Sequence, residues 1–421
     1  IVGFFCPLVE MGMNTIAVRE ISQGRASGAS LLTGILLVKL ALTVVSIIII
    51  VLVCLAMNYP PEVRLMTIMA SLTLVSTLLG TFEIYLIVLQ RMYVLVVSQV
   101  VSNLVLLATV MYMIRSGSRL QVIILTQVAC AALTYLIIIF AIRREIVFKK
   151  PDVTMMLPFG KSSLQQGISS IIVSYFNSID MVIISKLIGT GAVAYYGAAY
   201  RIIGLMIFVP HAVMMSLYPI LLHFKSRNDQ DFNLVFRFSF YILMLVAIPA
   251  ATWITLYADP LIRFIYTGKY EHAVPALQIL VWSGVFTFAS FLAGYTLVII
   301  HRQRFGIFVS LAALLVNVGL NLLLIPYYGI EGAAVVTVAT EVCVALMLYL
   351  YIYRHERLAP FSMKLVRVVF AVCGTVMVSL LTKNFHVLIA AAAFSLFLAV
   401  FIGAFCLGTD RAFLQKCSLT G

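Results

Sequence analysis

Long apolar runs, each about as long as a membrane-crossing helix, follow one another along almost the whole chain. A helix needs roughly 20 apolar residues to cross a bilayer, because each residue adds about 1.5 Å and the hydrocarbon core is about 30 Å thick. The runs lack the alternation of apolar and polar residues that a membrane β-strand requires. The sequence therefore predicts an all-α polytopic membrane protein with about thirteen transmembrane helices. These helices are expected at about residues 1–18, 30–56, 65–89, 92–114, 120–142, 162–187, 192–222, 232–257, 276–300, 305–325, 330–353, 365–382 and 387–407.

Composition agrees with this class and excludes others. Of the 421 residues, 63% are hydrophobic and 10% are charged, with a mean hydropathy of +1.12, well beyond the range of a soluble globular domain. The net charge of +13 does not indicate nucleic-acid binding, because no basic face interleaved with aromatic residues lies outside the apolar runs. The seven cysteines have neither metal-ligand spacing nor the pattern of a disulfide framework. We expect no metal and no cofactor.

The charges of the loops assign the two faces of the membrane. When the sides alternate from run to run, most Lys and Arg residues fall on one face, which the positive-inside rule makes cytoplasmic. Lys39 and Arg201 are the two basic residues that remain within runs. The loop charges therefore predict a multi-pass membrane protein with most of its basic residues on the cytoplasmic face.

The longest polar interval divides the runs into two groups. The segment 90–93 (QRMY), which precedes a run reaching Asn103, resembles the segment 303–306 (QRFG), which precedes a run reaching Asn317. This echo predicts two pseudo-symmetric six-helix lobes with a substrate path between them. Only five runs precede the interval, so we expect one more span ahead of Ile1 and about fourteen in the whole protein. The predicted division is an amino-terminal lobe at 1–142, a cytoplasmic linker at 143–161, a carboxyl-terminal lobe at 162–353, and two extra helices with a tail at 354–421.

Two ionisable residues, Asp180 and Arg201, lie inside the runs on either side of the turn at 189–191. Each is about ten residues from the turn, so both fall at roughly one depth, about 15 Å from the tip. Ionisable groups at that depth are costly and face a partner or a water-filled cavity. We predict that the two side chains interact, directly or through water. The alternative is that Asp180 caps an outer loop while Arg201 faces the other lobe.

The remaining ionisable residues within the runs have more than one interpretation. Glu341 is near the middle of its run, where a carboxylate is unfavourable unless it is paired or protonated, so it is either an ion-coupling or a packing residue. Asp180, Glu341 and Glu83 are the ion-coupling candidates. Lys39 lies nearer the cytoplasmic boundary and either lines the cavity or extends its amine to the interface. An arginine at the depth of Arg201 cannot reach the interface, which favours a cavity-facing guanidinium.

The chain has no catalytic motif of a soluble enzyme. It contains no P-loop, no dinucleotide-binding glycine turn, no HExxH and no Gly-x-Ser-x-Gly pattern, and its loops are too short for a glycosyltransferase domain. The segment 259–272 is amphipathic and is expected to form an outer interfacial helix that shapes the exit of the path rather than binding substrate. The sequence therefore predicts a transporter and not an enzyme.

Several motifs in a fixed order resemble a known transporter family. They are the segments 18–21 (VREI), 178–189 (SIDMVIISKLIG), 193–201 (VAYYGAAYR), 317–326 (NVGLNLLLIP), 328–334 (YGIEGAA) and 340–341 (TE). Together they are similar to the polysaccharide transporter branch of the multidrug/oligosaccharidyl-lipid/polysaccharide (MOP) exporter superfamily, which contains the Wzx-like O-antigen flippases. The likeness covers essentially the whole chain.

The resemblance implies a flippase that moves polyprenyl-pyrophosphate-linked oligosaccharide from the cytoplasmic to the outer leaflet through a positively charged cavity. Arg201 and Lys39 would contact the pyrophosphate, and a guanidinium suits this role because it stays charged and binds phosphate oxygens in pairs. The candidates for sugar contacts are Tyr175, Asn177, Tyr195 and Tyr196. The implied partners are the lipid-linked oligosaccharide, membrane lipid, a polysaccharide polymerase and chain-length proteins. The implied location is a bacterial or archaeal plasma membrane, which is the inner membrane in a Gram-negative cell.

Two other functions stay open from the sequence. A drug/cation antiporter of the same superfamily is compatible with Asp180 and Glu341, whereas the basic Arg201 and Lys39 argue against it. A membrane-embedded polysaccharide polymerase requires a substantial outer loop with convergent catalytic side chains, and the predicted outer loops are short.

The loop charges predict which segments are accessible from outside the cell. The cytoplasmic segments are 143–161 and 354–364, and the outward segments are 58–62, 115–119 and 259–272. A membrane-impermeant thiol reagent applied to intact cells should label Lys269→Cys and spare Asp152→Cys. Labelling of the cysteine at 152 but not of the one at 269 would refute the topology, provided that both variants react after permeabilisation.

Overall fold

The computed structural model describes residues 2–22, 28–57, 60–227, 229–266, 268–358, 366–383 and 385–404. Parts of three predicted segments lie outside these residues: the outer loop 58–62, the cytoplasmic loop 354–364 and the carboxyl-terminal tail. Most of the described residues are helical, and none of them is in a β-strand. The prediction of an all-α polytopic membrane fold is confirmed.

The helices follow the predicted apolar runs. The first group is α1 (Val2–Glu10), α2 (Met13–Ser22), α3 (Gly28–Ala56), α4 (Pro61–Ser71), α5 (Thr73–Leu79), α6 (Glu83–Val88), α7 (Met92–Arg115), α8 (Leu120–Ala141) and α9 (Val153–Phe176). The second group is α10 (Ile179–Leu187), α11 (Thr190–Arg227), α12 (Asp229–Leu256), α13 (Ala258–Tyr266), α14 (Ala273–Ile299), α15 (Gln303–Glu356), α16 (Val366–Thr382) and α17 (Val387–Ile402). Two short 3₁₀ turns cover Gly80–Phe82 and Gly268–Tyr270.

Fewer helices than predicted pass a test of length and hydropathy for crossing a membrane. Within the described residues eight segments pass, or nine if α9 and α10 form one broken span. The first predicted run is divided between α1 and α2, because Met11 and Gly12 leave the helical conformation with φ of 41° and 65°. Helices α16 and α17 are apolar but short, and α15 combines two predicted runs.

Helix α15 consists of two spans. Its 54 residues would extend about 80 Å if straight, far more than a bilayer requires. The helical conformation breaks at Gly329, where φ is 59° and ψ is −140°. Asn317 and Thr340 lie almost equally far from Gly329, and the Asn317 amide donates a 3.4 Å hydrogen bond to the Thr340 hydroxyl. The chain therefore folds back on itself at Gly329, in agreement with the two spans predicted at 305–325 and 330–353.

The contacts divide the chain into two compact units, which we call unit 1 (Ile1–Tyr175) and unit 2 (Phe176–Gly421). The division falls after the predicted linker at 143–161, because α9 already begins at Val153 and its Phe159 shares a core with α2 and α3. The lobe boundaries inferred from the sequence stay a prediction.

In unit 1, the helix α3 is the common packing partner of α1, α4 and α5, and α7 pairs with α8. Leu31, Leu32 and Ile35 of α3 enter the core with Ile84 of α6. Lys39 lies one turn beyond Ile35 and is fully buried. A cation therefore sits inside the most apolar part of unit 1.

In unit 2, α14 forms a scaffold for the other helices. It packs against α11, α12 and α15, and its Leu277, Leu280 and Leu292 side chains are fully buried. Helix α12 packs in turn against α16, and α16 against α17. The scaffold fixes α11 and α15, the two helices that supply most of the candidate site.

The backbone conformation at Gly329 predicts that glycine is required at this position. A Cβ is strained at this combination of φ and ψ, so Gly329→Ala should lower the free energy of unfolding by about 1–3 kcal/mol. Gly319→Ala in the same helix is the matched control, because it is helical there and a Cβ meets no atom within 4 Å. We expect the control to be neutral or slightly stabilising. Equal thermal unfolding of the two purified variants would contradict the proposed turn.

Candidate functional site

Asp180 lies at the beginning of α10. Ser178 has a φ of −135°, so the helical conformation of α9 is not continued and α10 begins anew at Ile179. Asp180 thus occupies the first turn of α10, where backbone N–H groups are free and a negative charge is favoured. Its side chain is 3% exposed. A carboxylate so deep in an apolar bundle requires polar partners.

Three side chains direct hydrogen bonds at the Asp180 carboxylate. Tyr196 and Thr337 donate to Oδ2 at 2.9 and 2.8 Å, and Asn321 donates to Oδ1 at 3.1 Å. Asn317 supports this arrangement from behind, because its Oδ1 accepts a 2.8 Å hydrogen bond from Asn321. An ionised carboxylate only accepts hydrogen bonds, and every one of these partners can donate. We call these five residues the Asp180 cluster.

Two turns bring the Asp180 cluster together. Gly189, with a φ of 124°, separates α10 from α11 and places Tyr196 beside Asp180. Gly329 places Thr337 opposite Asn321, each eight residues from the turn. The sequence prediction missed Asn321 and Thr337. An available signal was the pair of asparagines four residues apart in an apolar run, because they share one helix face and need a polar partner there.

The Asp180 cluster is suited to a small monovalent cation. It offers carboxylate, amide and hydroxyl oxygens, the ligand type that hard cations prefer. The Asn321 Oδ1 atom is buried and has no hydrogen-bond partner in the described part of the chain, so an acceptor is available beside the carboxylate. No group of three or more His, Cys, Asp or Glu residues forms a metal site among the described residues. One carboxylate balances one positive charge.

The predicted direct pairing of Asp180 with Arg201 is not formed. Among the described residues no ion pair within 4 Å joins the two, and the carboxylate oxygens are bonded to hydroxyl and amide donors instead. Arg201 follows Tyr196 by five residues, which is about 140° around a helix. Equal depth in the membrane is therefore not sufficient for Asp180 and Arg201 to pair directly. Tyr196, which bonds to Asp180, and Arg201 point to different sides of α11.

Arg201 instead lines a pocket of about 680 Å³ within unit 2. The guanidinium is exposed and has no ion-pair partner within the described residues. It is the one charged residue in the described lining of this pocket, which we call the Arg201 pocket. The rest of the lining is Met181, Val193, Ala194, Gly197, Ala198, Tyr200, Gly204, Leu205, Tyr266 and Tyr270.

The Arg201 pocket and the Asp180 cluster share two helices. Met181, next to Asp180 on α10, lines the pocket, and so does Tyr200, one turn after Tyr196 on α11. The rings of Tyr196 and Tyr200 are 6.0 Å apart. The Asp180 cluster and the wall of the pocket are therefore built on the same two helices.

A second pocket in unit 2, of about 700 Å³, has a different character. It lies among α12, α14 and the second span of α15, and aromatic side chains such as Phe240 and Trp282 line it. No charged residue is part of its described lining. It offers nothing that would hold an anionic group, in contrast to the Arg201 pocket.

The other site residues predicted in unit 2 are distributed around these two features. Glu341 is buried one turn beyond Thr337. Tyr195 contacts Tyr270, which lines the pocket, whereas Tyr196 is fully buried in the Asp180 cluster and not available to a sugar. Asn177 is exposed. The roles predicted for Glu341, Tyr195 and Asn177 stay predictions.

The site residues predicted in unit 1 have partners of their own. The Lys39 amine donates to Asn14 Oδ1 at 2.8 Å and to the Thr77 carbonyl at 3.5 Å, and it is 0% exposed. The Lys39 amine is therefore not accessible to a pyrophosphate in this structure, and the predicted contact of Lys39 with a cavity is not formed. Glu83 accepts a 3.2 Å hydrogen bond from Tyr135. The ring of Tyr175 packs against Phe4, with centroids 4.8 Å apart.

Comparisons with known proteins agree with this architecture. Residues 1–225 match the family model described as "Polysaccharide biosynthesis protein", and residues 167–323 match the model described as "MatE". The chain belongs to the polysaccharide biosynthesis protein family of the MOP superfamily. It is accordingly a multi-pass plasma-membrane protein, as predicted.

Two archaeal proteins are similar in sequence. One is the probable low-salt glycan biosynthesis flippase Agl15 of Haloferax volcanii, 25% identical over 190 residues, which are 45% of this chain and 40% of that protein. The other is an uncharacterized membrane protein of Methanocaldococcus jannaschii, 23% identical over 47% of this chain and 38% of that protein. The chain spans about 40% of the length of the curated relatives it matches.

Two solved structures share the fold. The lipid II flippase MurJ in an inward closed conformation superposes with a TM-score of 0.78 at 14% identity, covering 98% of this chain and 93% of MurJ. An inward-facing multidrug resistance MATE family transporter gives a TM-score of 0.70 at 16% identity, covering 85% of this chain and 88% of the transporter. Both similarities concern the fold.

Proposed function

We propose that this protein is a flippase that moves a polyprenyl-pyrophosphate-linked oligosaccharide from the cytoplasmic to the outer leaflet by alternating access. The observation that carries the proposal is Arg201, an exposed cation without an ion-pair partner among the described residues, in a pocket with no acidic residue in its described lining. The guanidinium stays charged at all physiological pH values and is available to bind an anion. The family and the flippase among the relatives support the same activity.

The chemistry of the Arg201 pocket fits a pyrophosphate better than a carboxylate or a neutral group. A guanidinium presents parallel N–H donors that match two oxygens of one phosphate. Inside a membrane-embedded pocket the contact gains strength, because little water competes for it. The tyrosine rings beside Arg201 offer apolar faces with hydroxyl tips, which suit the polar part of a glycolipid.

A drug/cation antiporter is the main alternative within the superfamily. Its pocket would need acidic or electron-rich groups facing the cation, and Arg201 would repel a positively charged drug. The acidic residues of unit 2 that the sequence offered for this function, Asp180 and Glu341, are both buried outside the described lining of the Arg201 pocket. The charge of the pocket therefore favours an anionic substrate. A membrane-embedded polymerase is also disfavoured, since the described lining of the pocket contains no carboxylate and no histidine that could act as a catalytic acid or base.

The Asp180 cluster supplies a coupling site for this transport. A bound Na⁺ or a proton would neutralise the carboxylate, and either change would alter the hydrogen bonds from Tyr196 and Thr337. The Asn321 Oδ1 atom, which has no hydrogen-bond partner among the described residues, favours Na⁺, because a cation satisfies that acceptor whereas a proton on Asp180 satisfies it only after rearrangement. Coupling would pass through α10 and α11 to the Arg201 pocket.

Substitution of Arg201 tests the role of the pocket. The transport rate should decrease in the order wild type, Arg201→Lys, Arg201→Ala. Lysine keeps the charge but loses the paired hydrogen bonds of the guanidinium, and alanine loses both. Loss of a charged contact of about 1.5–3 kcal/mol corresponds to roughly tenfold to hundredfold weaker binding. The measurement is transfer of a polyprenyl-pyrophosphate glycan across proteoliposomes, with Arg304→Ala, an exposed arginine of α15, as the matched control. Full transport by Arg201→Ala at equal protein content would exclude the assigned role.

Sodium-dependent stabilisation tests the Asp180 cluster. A cation that binds only the folded protein raises its unfolding temperature as its concentration rises. We expect Na⁺ to stabilise the purified wild type relative to choline chloride at equal ionic strength, and Asp180→Asn to abolish the effect. Glu331→Gln is the control, since this exposed carboxylate of α15 lies outside the cluster and should leave the effect of Na⁺ unchanged. Stabilisation that survives in Asp180→Asn would place the cation elsewhere.

A further inference from the structure

We propose that Tyr266 and Tyr270 form a sugar-binding subsite of the Arg201 pocket, which receives the pyranose ring nearest the pyrophosphate. The inference rests on the proposed function and deepens it, since it assigns the glycan end of the substrate to particular side chains. The outer segment 259–272 is then a part of the binding site, whereas the sequence predicted that it only shapes the exit.

The first observation is an aromatic wall on the pocket. Tyr266, at the end of α13, and Tyr270, in the 3₁₀ turn that follows, both line the cavity and are both half-buried. Their ring centroids are 5.2 Å apart and the ring planes are inclined by 34°. Two neighbouring rings that share a cavity present a broad apolar surface with polar tips. A pyranose matches such a surface, because its C–H groups pack on the rings and its hydroxyls bond to phenol oxygens.

The second observation is that the wall is held in place from two sides. Arg263 bonds to Asp259 at 2.9 Å and to Glu271 at 3.1 Å, which ties α13 to the segment after the 3₁₀ turn. Tyr270 also packs edge-on against Tyr195 of α11, with centroids 5.7 Å apart. The contact with Tyr195 restricts the positions that the Tyr270 ring can take, which reduces the conformational entropy that binding would cost.

The third observation is the space opposite the wall. Along α11, the lining residues Ala194, Gly197, Arg201 and Gly204 recur at intervals of three and four and so share one face. A Cβ built on Gly197 or Gly204 meets no atom within 4 Å, so packing does not require glycine at either position. Glycine is unfavourable within a helix. Its presence twice on this face leaves room beside Arg201 for a bulky ligand.

The composition of the wall selects a sugar over an isoprenoid chain. The Tyr266 hydroxyl donates to the Ala198 carbonyl at 3.5 Å, whereas a hydrocarbon chain would bury the Tyr270 hydroxyl without a partner, which is unfavourable. The fully apolar pocket among α12, α14 and α15 offers a better environment for a chain. Arg201 excludes a cationic aromatic ligand by repulsion. The occupant that satisfies both the cation and the tyrosines is a phosphate-linked sugar.

The test measures binding of two probes to the purified full chain in nanodiscs. One probe is a polyprenyl pyrophosphate, and the other is the same lipid with one N-acetylglucosamine on the pyrophosphate. The double variant Tyr266→Ala/Tyr270→Ala should bind the glycosylated probe roughly tenfold more weakly and the bare probe within twofold of wild type. Arg201→Ala should weaken both probes.

A second variant guards against a folding defect in the double variant. Gly197→Leu projects a side chain into the open space and should also weaken the glycosylated probe selectively, since its Cβ meets no neighbour. Gly191→Leu in the first turn of the same helix is the control, because it is equally open but lies outside the described lining of the pocket. We expect Gly191→Leu to bind both probes as wild type does.

The outcomes separate the subsite from the proposed function. The subsite is overturned if the tyrosine and Gly197 variants weaken both probes equally, or neither, while Arg201→Ala weakens both. A selective loss of the bare probe in the tyrosine variants would identify a chain-binding site and overturn it as well. If Arg201→Ala leaves both probes unaffected, the proposed function itself fails.

Discussion

The Asp180 carboxylate is the group around which unit 2 is arranged. An isolated charge in a low-dielectric bundle is so unfavourable that it must be neutralised or surrounded by donors. Here the donors come from α11 and from both spans of α15, since Tyr196, Asn321 and Thr337 converge on one carboxyl group. Three helical segments are thus held in register by one charge. The turns at Gly189 and Gly329 are needed because, without these reversals of the chain, Tyr196 and Thr337 would not reach the Asp180 carboxylate.

The helix α11 links this charge to the Arg201 pocket. One face carries Tyr196 toward Asp180, and another carries Arg201 and two glycines toward the pocket. Both faces belong to the same helix, so a rearrangement at the carboxylate would reach the wall of the pocket through α11. Under the proposed function, a cation at Asp180 and an anion at Arg201 would occupy neighbouring sites with opposite charge, and α11 would couple ion binding to the position of the anionic lipid.

Unit 1 follows the same rule with a cation. Lys39 is fully buried and is held by Asn14 and the Thr77 carbonyl, and the charges of Glu10 and Glu83 are close enough to act on it. A basic residue within an apolar run was interpreted as a cavity contact from the sequence, yet an internal partner satisfies it equally well. In both units, an ionisable residue in the membrane is accompanied by neutral donors or acceptors from a neighbouring helix.

The sequence by itself determined the fold class, because this depends on the length and hydropathy of local segments, and its motifs in a fixed order determined the family. It also located the two spans of α15 and the residues Asp180 and Arg201. Only the tertiary structure decided which partners they face. Depth follows from counting residues, whereas orientation depends on where helices break: α10 begins at Ile179, and five residues along α11 turn Arg201 about 140° from Tyr196. Chain reversals likewise bring Thr337 to the Asp180 carboxylate and place Tyr266 and Tyr270 in the lining of the Arg201 pocket.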